Sequence, residues 1–346
     1  MKRTNLAEDY NNTDALSQQN SKFGALFTPI SKSLTKDDEI TMADLIVGKH
    51  FIHNYLETLD LGKIPPVDDI VAQPSPLGMT LIANYYEKQN DQHCRIYIAS
   101  TMEDFQHVIS QVNAWHEDNK AIIVFQPTNI KDEWKKMIFA MHKVSVYLEK
   151  KGSLIHMFIA DSAPFESIKE VCMLLADEVL KNTNRVYYTQ EPIFLDSEKK
   201  KPLSLQTDFC NCGTHAFRFI RIVAQEPDFL TKLKITSTID RAPLAQQQKY
   251  ALPASFAKCA DSEKARNVCG LLFEGTFPAL ATHYAKHNKD YSYIVKFSRK
   301  YLSLISTSFV ENSQEELKTI IRNYDARNFK PESPKPFLTT VRPFTQ

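Results

Sequence analysis

Residues 142–162 read HKVSVYLEKKGSLIHMFIADS and contain two short apolar runs that are separated by Lys-Lys-Gly. The runs, at 143–149 and 153–160, have the β-branched and aromatic composition of strands, and glycine favours a tight turn between them. The stretch therefore predicts a β-hairpin. A turn centred near residue 151 places His142 opposite Asp161 at the open end, close enough for their side chains to interact.

An imidazole beside a carboxylate is a common arrangement for proton transfer. The carboxylate holds the ring in one tautomer and stabilises its cationic form, so that His142 could act as a general base. Every hairpin, however, has two residues opposite each other at its open end, whether or not they have a function. A plain surface contact between His142 and Asp161 is therefore the alternative interpretation.

A second stretch, LSLQTDFCNCGTHAFRFI at 203–220, brings two cysteines next to a glycine. Apolar residues at helical spacing behind Cys212 predict a helix from about Gly213 to Ala224. Cys212 then lies at a helix N-terminus, where unpaired N–H groups and the helix dipole favour the thiolate. Gly213 would let the backbone pass close to a substrate.

Two other roles for this cysteine compete with catalysis. Cysteine is often a small buried hydrophobe. Cys210, Cys212 and His215 could also begin a zinc site, but structural zinc needs a second ligand pair, and Cys259 and Cys269 do not form one. We therefore predict no metal.

The rest of the chain predicts an α+β core followed by a helical region that packs on it. Strands are expected at 94–100 and 121–127, with a helix at 102–117 between them, and further helices at 41–59 and 165–182. Beyond residue 228 the pattern is helical and basic, so we expect strands to end there. We predict a disordered segment at 1–38, a catalytic core at 39–227, a helical region at 228–325 and a flexible proline-rich tail at 326–346.

Composition excludes several classes of protein. The 346 residues carry a net charge of +1 and are 43% hydrophobic and 24% charged, as in an ordinary globular protein. The chain lacks the basic excess that would indicate nucleic-acid binding, and no segment is long and apolar enough to predict a membrane span. With 8 glycines and no glycine-rich motif, a phosphate-binding loop is not expected either.

The order of the candidate residues resembles the ubiquitin-like-protease clan (clan CE) of cysteine peptidases. That clan has a His opening one strand, an acid closing the next, and a Gln followed after five residues by Cys-Gly, as His142, Asp161, Gln206 and Cys212 are ordered here. The resemblance implies an α+β fold with the clan's cysteine-protease-like core, a mixed central sheet flanked by helices. It also implies that Cys212 is the nucleophile, His142 its base, and Gln206 the oxyanion-hole amide. Cys210 does not keep the spacing from the glutamine, and we expect it to be a packing residue.

Within the clan the chain is most similar to the YopJ family of bacterial effectors. The segment YALPASFAKCADSEKA at 250–265 matches the family at Leu252-Pro253, Phe256 and Lys258, while Cys259-Ala260-Asp261 replaces its usual His-Thr-Gln. The resemblance implies export by a specialised bacterial secretion system into the host cytoplasm. It also implies transfer of acetyl from acetyl-CoA to Ser, Thr or Lys of a host protein through a thioester on Cys212.

Inositol hexakisphosphate is the activator that the family resemblance implies. Basic residues of the helical region could bind it; the candidates are Lys286, Lys289, Lys296, Arg299 and Lys300. A solvated helix face is the alternative interpretation of the same residues.

The alternative function is an isopeptidase that removes ubiquitin or a ubiquitin-like modifier from lysines with the same residues in the same roles. The helical extension after Cys212 favours the acetyltransferase. Among the other histidines, we expect His156 to be a core or sheet residue and His215 to have at most a supporting role. His283 and His287 have the i, i+4 spacing of helical metal ligands but lack an accompanying Glu.

Overall fold

The structure is a computed structural model that covers most of the predicted core. It describes residues 37–58, 64, 66–88, 94–115, 119–126, 142–162, 185–191, 206, 211–225, 228–241, 245–251 and 292–329. Four predictions lie wholly or mostly outside these residues: the disordered N-terminal segment, the helix at 165–182, the matching segment at 250–265 and the proline-rich tail.

The strands form one large sheet, with both parallel and antiparallel pairs, and one small antiparallel sheet. In chain order they are β1 (Ile46–Val47), β2 (Gln73–Pro74), β3 (Arg95–Ala99), β4 (Asn119–Phe125), β5 (Val144–Lys151), β6 (Leu154–Ala160), β7 (Arg185–Glu191), β8 (Lys234–Arg241) and β9 (Ala245–Ala251). β1 and β2 pair with each other, and the other seven form a mixed sheet in the order β3-β4-β5-β6-β7-β9-β8. The α+β fold and the mixed central sheet are therefore confirmed.

The expectation that strands end before residue 228 is wrong. β8 and β9 form an antiparallel pair, and β9 extends the sheet by pairing in parallel with β7. The run Lys234–Arg241 contains four β-branched residues, which suit a pleated strand, although the surrounding sequence has helical texture.

Helices cover both faces of the sheet. In chain order they are α1 (Met42–Leu45), α2 (Lys49–Thr58), α3 (Pro76–Lys88), α4 (Met102–Asn113), α5 (Cys212–Gln225), α6 (Ser292–Glu311) and α7 (Gln314–Tyr324). α3, α5, α6 and α7 share one buried cluster with alternate strand residues such as Ile122 and Phe158, and α4 packs against the opposite set, such as Ile123 and Met157. The core strands are thus buried on both faces, which explains their continuous apolar runs.

The helix predicted at 41–59 is interrupted. Thr41 and Asp44 form a capping box at its start, with the Thr41 N–H donating to Asp44 Oδ2 over 2.8 Å. After one turn, Ile46 and Val47 leave the helix and pair with Pro74 and Gln73. Two successive β-branched residues fit this short strand better than a helix interior, and the second helix begins after Gly48.

The hairpin exists, but its register differs from the prediction by two residues. β5 runs to Lys151, and Gly152 takes the turn with φ +57°, a conformation that suits glycine. Ser145 therefore pairs with Ala160, and continuing this register places Asp161 opposite Val144. His142 lies two residues before that position, as a diagonal neighbour of Asp161 on the same face of the hairpin.

The packed chain continues slightly past the predicted boundary at residue 325. A 3₁₀ turn at Ala326–Asn328 follows α7, and the Phe329 ring packs 4.6 Å from Tyr97 and 5.7 Å from Trp115, measured between ring centroids. This turn and Phe329 therefore belong to the core on the α4 face of the sheet.

Candidate active site

The open end of the hairpin holds the predicted His–Asp pair. His142 Nε2 lies 3.0 Å from Asp161 Oδ1, and the two side chains are 7% and 14% exposed. Such burial is not that of a surface contact. The diagonal register brings the pair together because His142 shortly precedes β5 and Asp161 directly follows β6, at the same end of the hairpin.

Cys212 reaches the pair from the adjacent helix. It is the first residue of α5, it is 2% exposed, and its thiol is hydrogen-bonded to the His142 side chain. The Ser145 hydroxyl of β5 donates to the Ala216 carbonyl of α5 over 2.8 Å, and Phe217 of α5 packs against Tyr86 of α3 and Tyr301 of α6. The structure thus brings together the three residues that the sequence identified.

The electrostatics of the site favour an ion pair between the cysteine and the histidine. Burial alone raises the pKa of the Cys212 thiol, but the Lys143 ammonium and the His142 imidazole outweigh it, so the pKa lies below its ordinary value. Burial likewise opposes charge on His142, but Asp161 and Cys212 together raise the pKa of the imidazole well above its ordinary value. Both shifts have the sign that a thiolate–imidazolium pair requires.

Gln206 is attached to the residue that follows Asp161. Its backbone N–H donates to the Ser162 carbonyl over 3.0 Å, and the Ser162 hydroxyl donates to its side-chain Oε1 over 2.6 Å. Both residues are buried. The serine therefore binds the amide oxygen and leaves the N–H₂ group on the opposite side of the amide, as a donor to an oxyanion would need to be. The oxyanion-hole role itself stays a prediction.

The sequence interpretation missed Lys143. This lysine is 2% exposed, its backbone N–H is hydrogen-bonded to Cys212, and its side chain crosses the next residue, Gly213. A Cβ at Gly213 would lie 2.9 Å from Lys143 Cδ, so the glycine accommodates the lysine; close passage of a substrate stays a prediction. A charged residue at the start of an otherwise apolar strand, directly after the candidate base, was the available signal.

The other candidates contribute less. His156 is partly buried within β6, as expected of a sheet residue, and His215 is fully buried in α5, 6.1 Å from the Phe219 ring. Cys210, His283 and His287 lie outside the described residues. Within the described ranges, no group of three His, Cys, Asp or Glu side chains is placed to hold a metal ion.

Comparison with known proteins adds no family assignment. No protein-family model matches the chain, and no curated protein is significantly similar to it. No helix in the described part of the chain is long and apolar enough to cross a membrane.

Proposed function

We propose that this protein is a YopJ-like acetyltransferase that uses Cys212, His142 and Asp161 to move an acetyl group from acetyl-CoA to a host protein. The observation that carries the proposal is the buried contact of all three side chains at the meeting point of β5, β6 and α5. A buried cysteine with a lowered thiol pKa is a nucleophile, because the thiolate is the attacking species.

In the first half-reaction the Cys212 thiolate attacks the carbonyl carbon of acetyl-CoA. The bond between that carbon and the sulfur of coenzyme A breaks, and the departing thiolate takes the proton held by the His142 imidazolium. The products are free coenzyme A and an acetyl thioester on Cys212. Asp161, 3.0 Å from the ring, stabilises the imidazolium before this transfer.

In the second half-reaction the acceptor is a hydroxyl or amine of Ser, Thr or Lys. His142, now neutral, removes the acceptor's proton while its oxygen or nitrogen attacks the thioester carbon. The carbon–sulfur bond to Cys212 breaks, which restores the thiolate and leaves the acetyl group on the acceptor. The Gln206 amide would donate to the oxyanion that forms in each half-reaction.

Inositol hexakisphosphate is the activator that belongs to this proposal. Lys296, Arg299 and Lys300 are exposed within little more than one turn of α6, and such a group of cations suits a polyanion. Lys286 and Lys289 lie outside the described residues. The proposed place of action is the host cytoplasm, after delivery by a specialised bacterial secretion system.

The test is transfer of label from acetyl-CoA. Purified protein is incubated with radiolabelled acetyl-CoA and a lysate of eukaryotic cells, with and without inositol hexakisphosphate, beside the variant Cys212→Ala. Label that enters protein with the native chain and not with the variant supports the proposal.

The same triad could hydrolyse an isopeptide bond, since both reactions pass through an acyl-enzyme. A parallel incubation with ubiquitin and SUMO probes that carry a C-terminal electrophile tests this alternative. Labelling of Cys212 by such a probe, with no acetyl transfer in either activator condition, would identify an isopeptidase instead.

A further inference from the structure

Lys143 is a buried lysine whose position is specified along its whole side chain. The side chain is 2% exposed, its Cδ passes close to the Cα of Gly213, and its Nζ lies 3.4 Å from the Gln73 side-chain oxygen. Gln73 is itself 2% exposed and belongs to β2. A buried ammonium is costly to maintain, so its position next to the candidate nucleophile calls for an explanation.

The fold directs this side chain toward the nucleophile. Residues of the hairpin alternate between faces, and Ser145, two residues after Lys143, faces α5 and donates to the Ala216 carbonyl. Lys143 thus lies on the α5 side, below the first turn of that helix. The short β1–β2 pair, which interrupts the predicted helix, brings Gln73 to the far end of the lysine.

We propose that Lys143 is a positioning residue whose ammonium, held by Gln73 across Gly213, stabilises the Cys212 thiolate. This inference rests on the proposed function, in which that thiolate attacks a thioester. It adds a second cation to the one that His142 provides. The two cations differ, since His142 must give up its proton during catalysis whereas Lys143 takes no part in proton transfer.

The order of events makes a second cation useful. When His142 has passed its proton to the leaving coenzyme A, the imidazole is neutral, and the Cys212 sulfur must later leave the thioester as an anion. Lys143, held against Gly213 and Gln73, keeps its charge at that moment and can stabilise the negative charge of the sulfur. The lowered pKa of the Cys212 thiol, to which Lys143 contributes, agrees with this geometry.

The test is the pH dependence of Cys212 alkylation, which needs no acetyl-CoA. From the hairpin, His142 and Lys143 face this thiol, with Asp161 behind His142; β2 brings the uncharged Gln73. On α5 itself, His215 is the nearest titratable side chain along the chain. Iodoacetamide labelling of the full chain between about pH 5 and pH 9, read by peptide mass, follows each cysteine separately.

Lys143→Met keeps an unbranched side chain and removes the charge. We expect its Cys212 alkylation midpoint to rise by about one pH unit, so that labelling near pH 6.5 becomes roughly tenfold slower. Lys143→Arg keeps the charge and should restore much of the native profile. Should the methionine variant fail to fold, Lys143→Gln, which can still donate to Gln73, should show the same rise.

Lys318→Met is the matched control, because Lys318 is equally buried, at 3% exposure, but lies on α7 and pairs with Glu315. It should leave the alkylation midpoint of Cys212 unchanged. An unchanged midpoint in a folded Lys143→Met or Lys143→Gln variant would overturn the inference. Because alkylation and acetyl transfer are measured separately, a protein with the expected shift but no acetyl transfer would refute the proposed function and leave the role of Lys143 intact.

Discussion

The β5–β6 hairpin places a histidine near a carboxylate at each of its two ends, but the two pairs differ in charge. At the open end, Asp161 and Cys212 raise the pKa of His142 despite its burial. At the turn end, His156 pairs across the strands with Glu149, yet its pKa is lowered, because burial and the Lys151 ammonium outweigh the carboxylate.

The two carboxylates also differ in the contacts that they make. Glu149 is 3% exposed and is already bound: it accepts from the Tyr147 hydroxyl over 3.2 Å and lies within 3.5 Å of both Lys120 and Lys151. Asp161 Oδ1 lies 3.0 Å from Nε2 of the His142 imidazole. Register alone therefore does not make a catalytic pair: Asp161 and Cys212 both raise the pKa of His142, whereas burial and Lys151 outweigh Glu149 at His156.

The largest expected effect belongs to the cysteine at the open end. Cys212→Ala removes the nucleophile, so acetyl transfer should fall by about 10³-fold or more. Cys94→Ala is the control, because Cys94 is the other buried cysteine among the described residues and lies in the core, far from Cys212 in sequence; it should keep most of the activity. The melting temperatures of both variants should stay close to that of the native protein. A Cys212→Ala protein with substantial transfer would remove this residue from the mechanism.

The next largest expected effect is a difference in transfer rate between variants of the two histidines. His142→Ala removes both the base and the partner of the thiolate, and we expect a loss of about 10²-fold to 10³-fold in the rate of acetyl transfer. His156→Ala, at the neutral end of the same hairpin, should change that rate by less than about threefold. Equal losses in the two variants would mean that the hairpin matters for folding rather than for proton transfer.

Substitution of Asp161 should reduce the rate of acetyl transfer, and substitution of Glu149 should reduce stability. Asp161→Asn lowers the pKa of His142, so the imidazolium is lost at lower pH, the Cys212 alkylation midpoint rises, and transfer falls by roughly tenfold to a hundredfold. Glu149→Gln should spare the rate but reduce the free energy of unfolding by about 1–3 kcal/mol, since it weakens a buried network. Denaturant unfolding curves and initial rates of both variants check these two outcomes. Rate loss in Glu149→Gln without destabilisation would contradict them.

The smallest expected effect concerns the Gln206 amide. Ser162→Ala removes the hydroxyl that donates to Gln206 Oε1 over 2.6 Å, so the amide can rotate while its backbone anchor to residue 162 remains. We expect the turnover rate to fall by roughly threefold to tenfold with little change in KM, because oxyanion contacts act in the transition state. Gln206→Ala should lose more, and a Ser162→Ala loss larger than that of Gln206→Ala would assign the serine another role.

The parts of the site that local pattern determines could be predicted from the sequence. The hairpin and α5 follow from periodicity, and they carry His142, Asp161 and Cys212 to one place even though the predicted register was two residues off. A shift of two residues keeps every side chain on its face, which is why the error did not separate the pair.

The parts that depend on pairing between distant segments could not be predicted. β9 joins the sheet through β7, more than fifty residues earlier in the chain, and Ile46–Val47 becomes a strand because residues 73–74 meet it. Lys143 was missed for the same reason. Its role depends on Gln73 and Gly213, which lie far from it in sequence, so its place at the start of an apolar strand was a local sign that did not reveal the role.

The central claim is that Cys212 forms an acyl-enzyme with acetyl-CoA, and intact-mass measurement of the full chain tests it most directly. The native protein, mixed with acetyl-CoA with and without inositol hexakisphosphate, should gain one acetyl group that neutral hydroxylamine removes, as expected of a thioester. The same mass should be absent in Cys212→Ala and weaker in His142→Ala. Folded native protein that gains no acetyl group in either condition, or gains one that hydroxylamine does not remove and Cys212→Ala retains, would contradict the account.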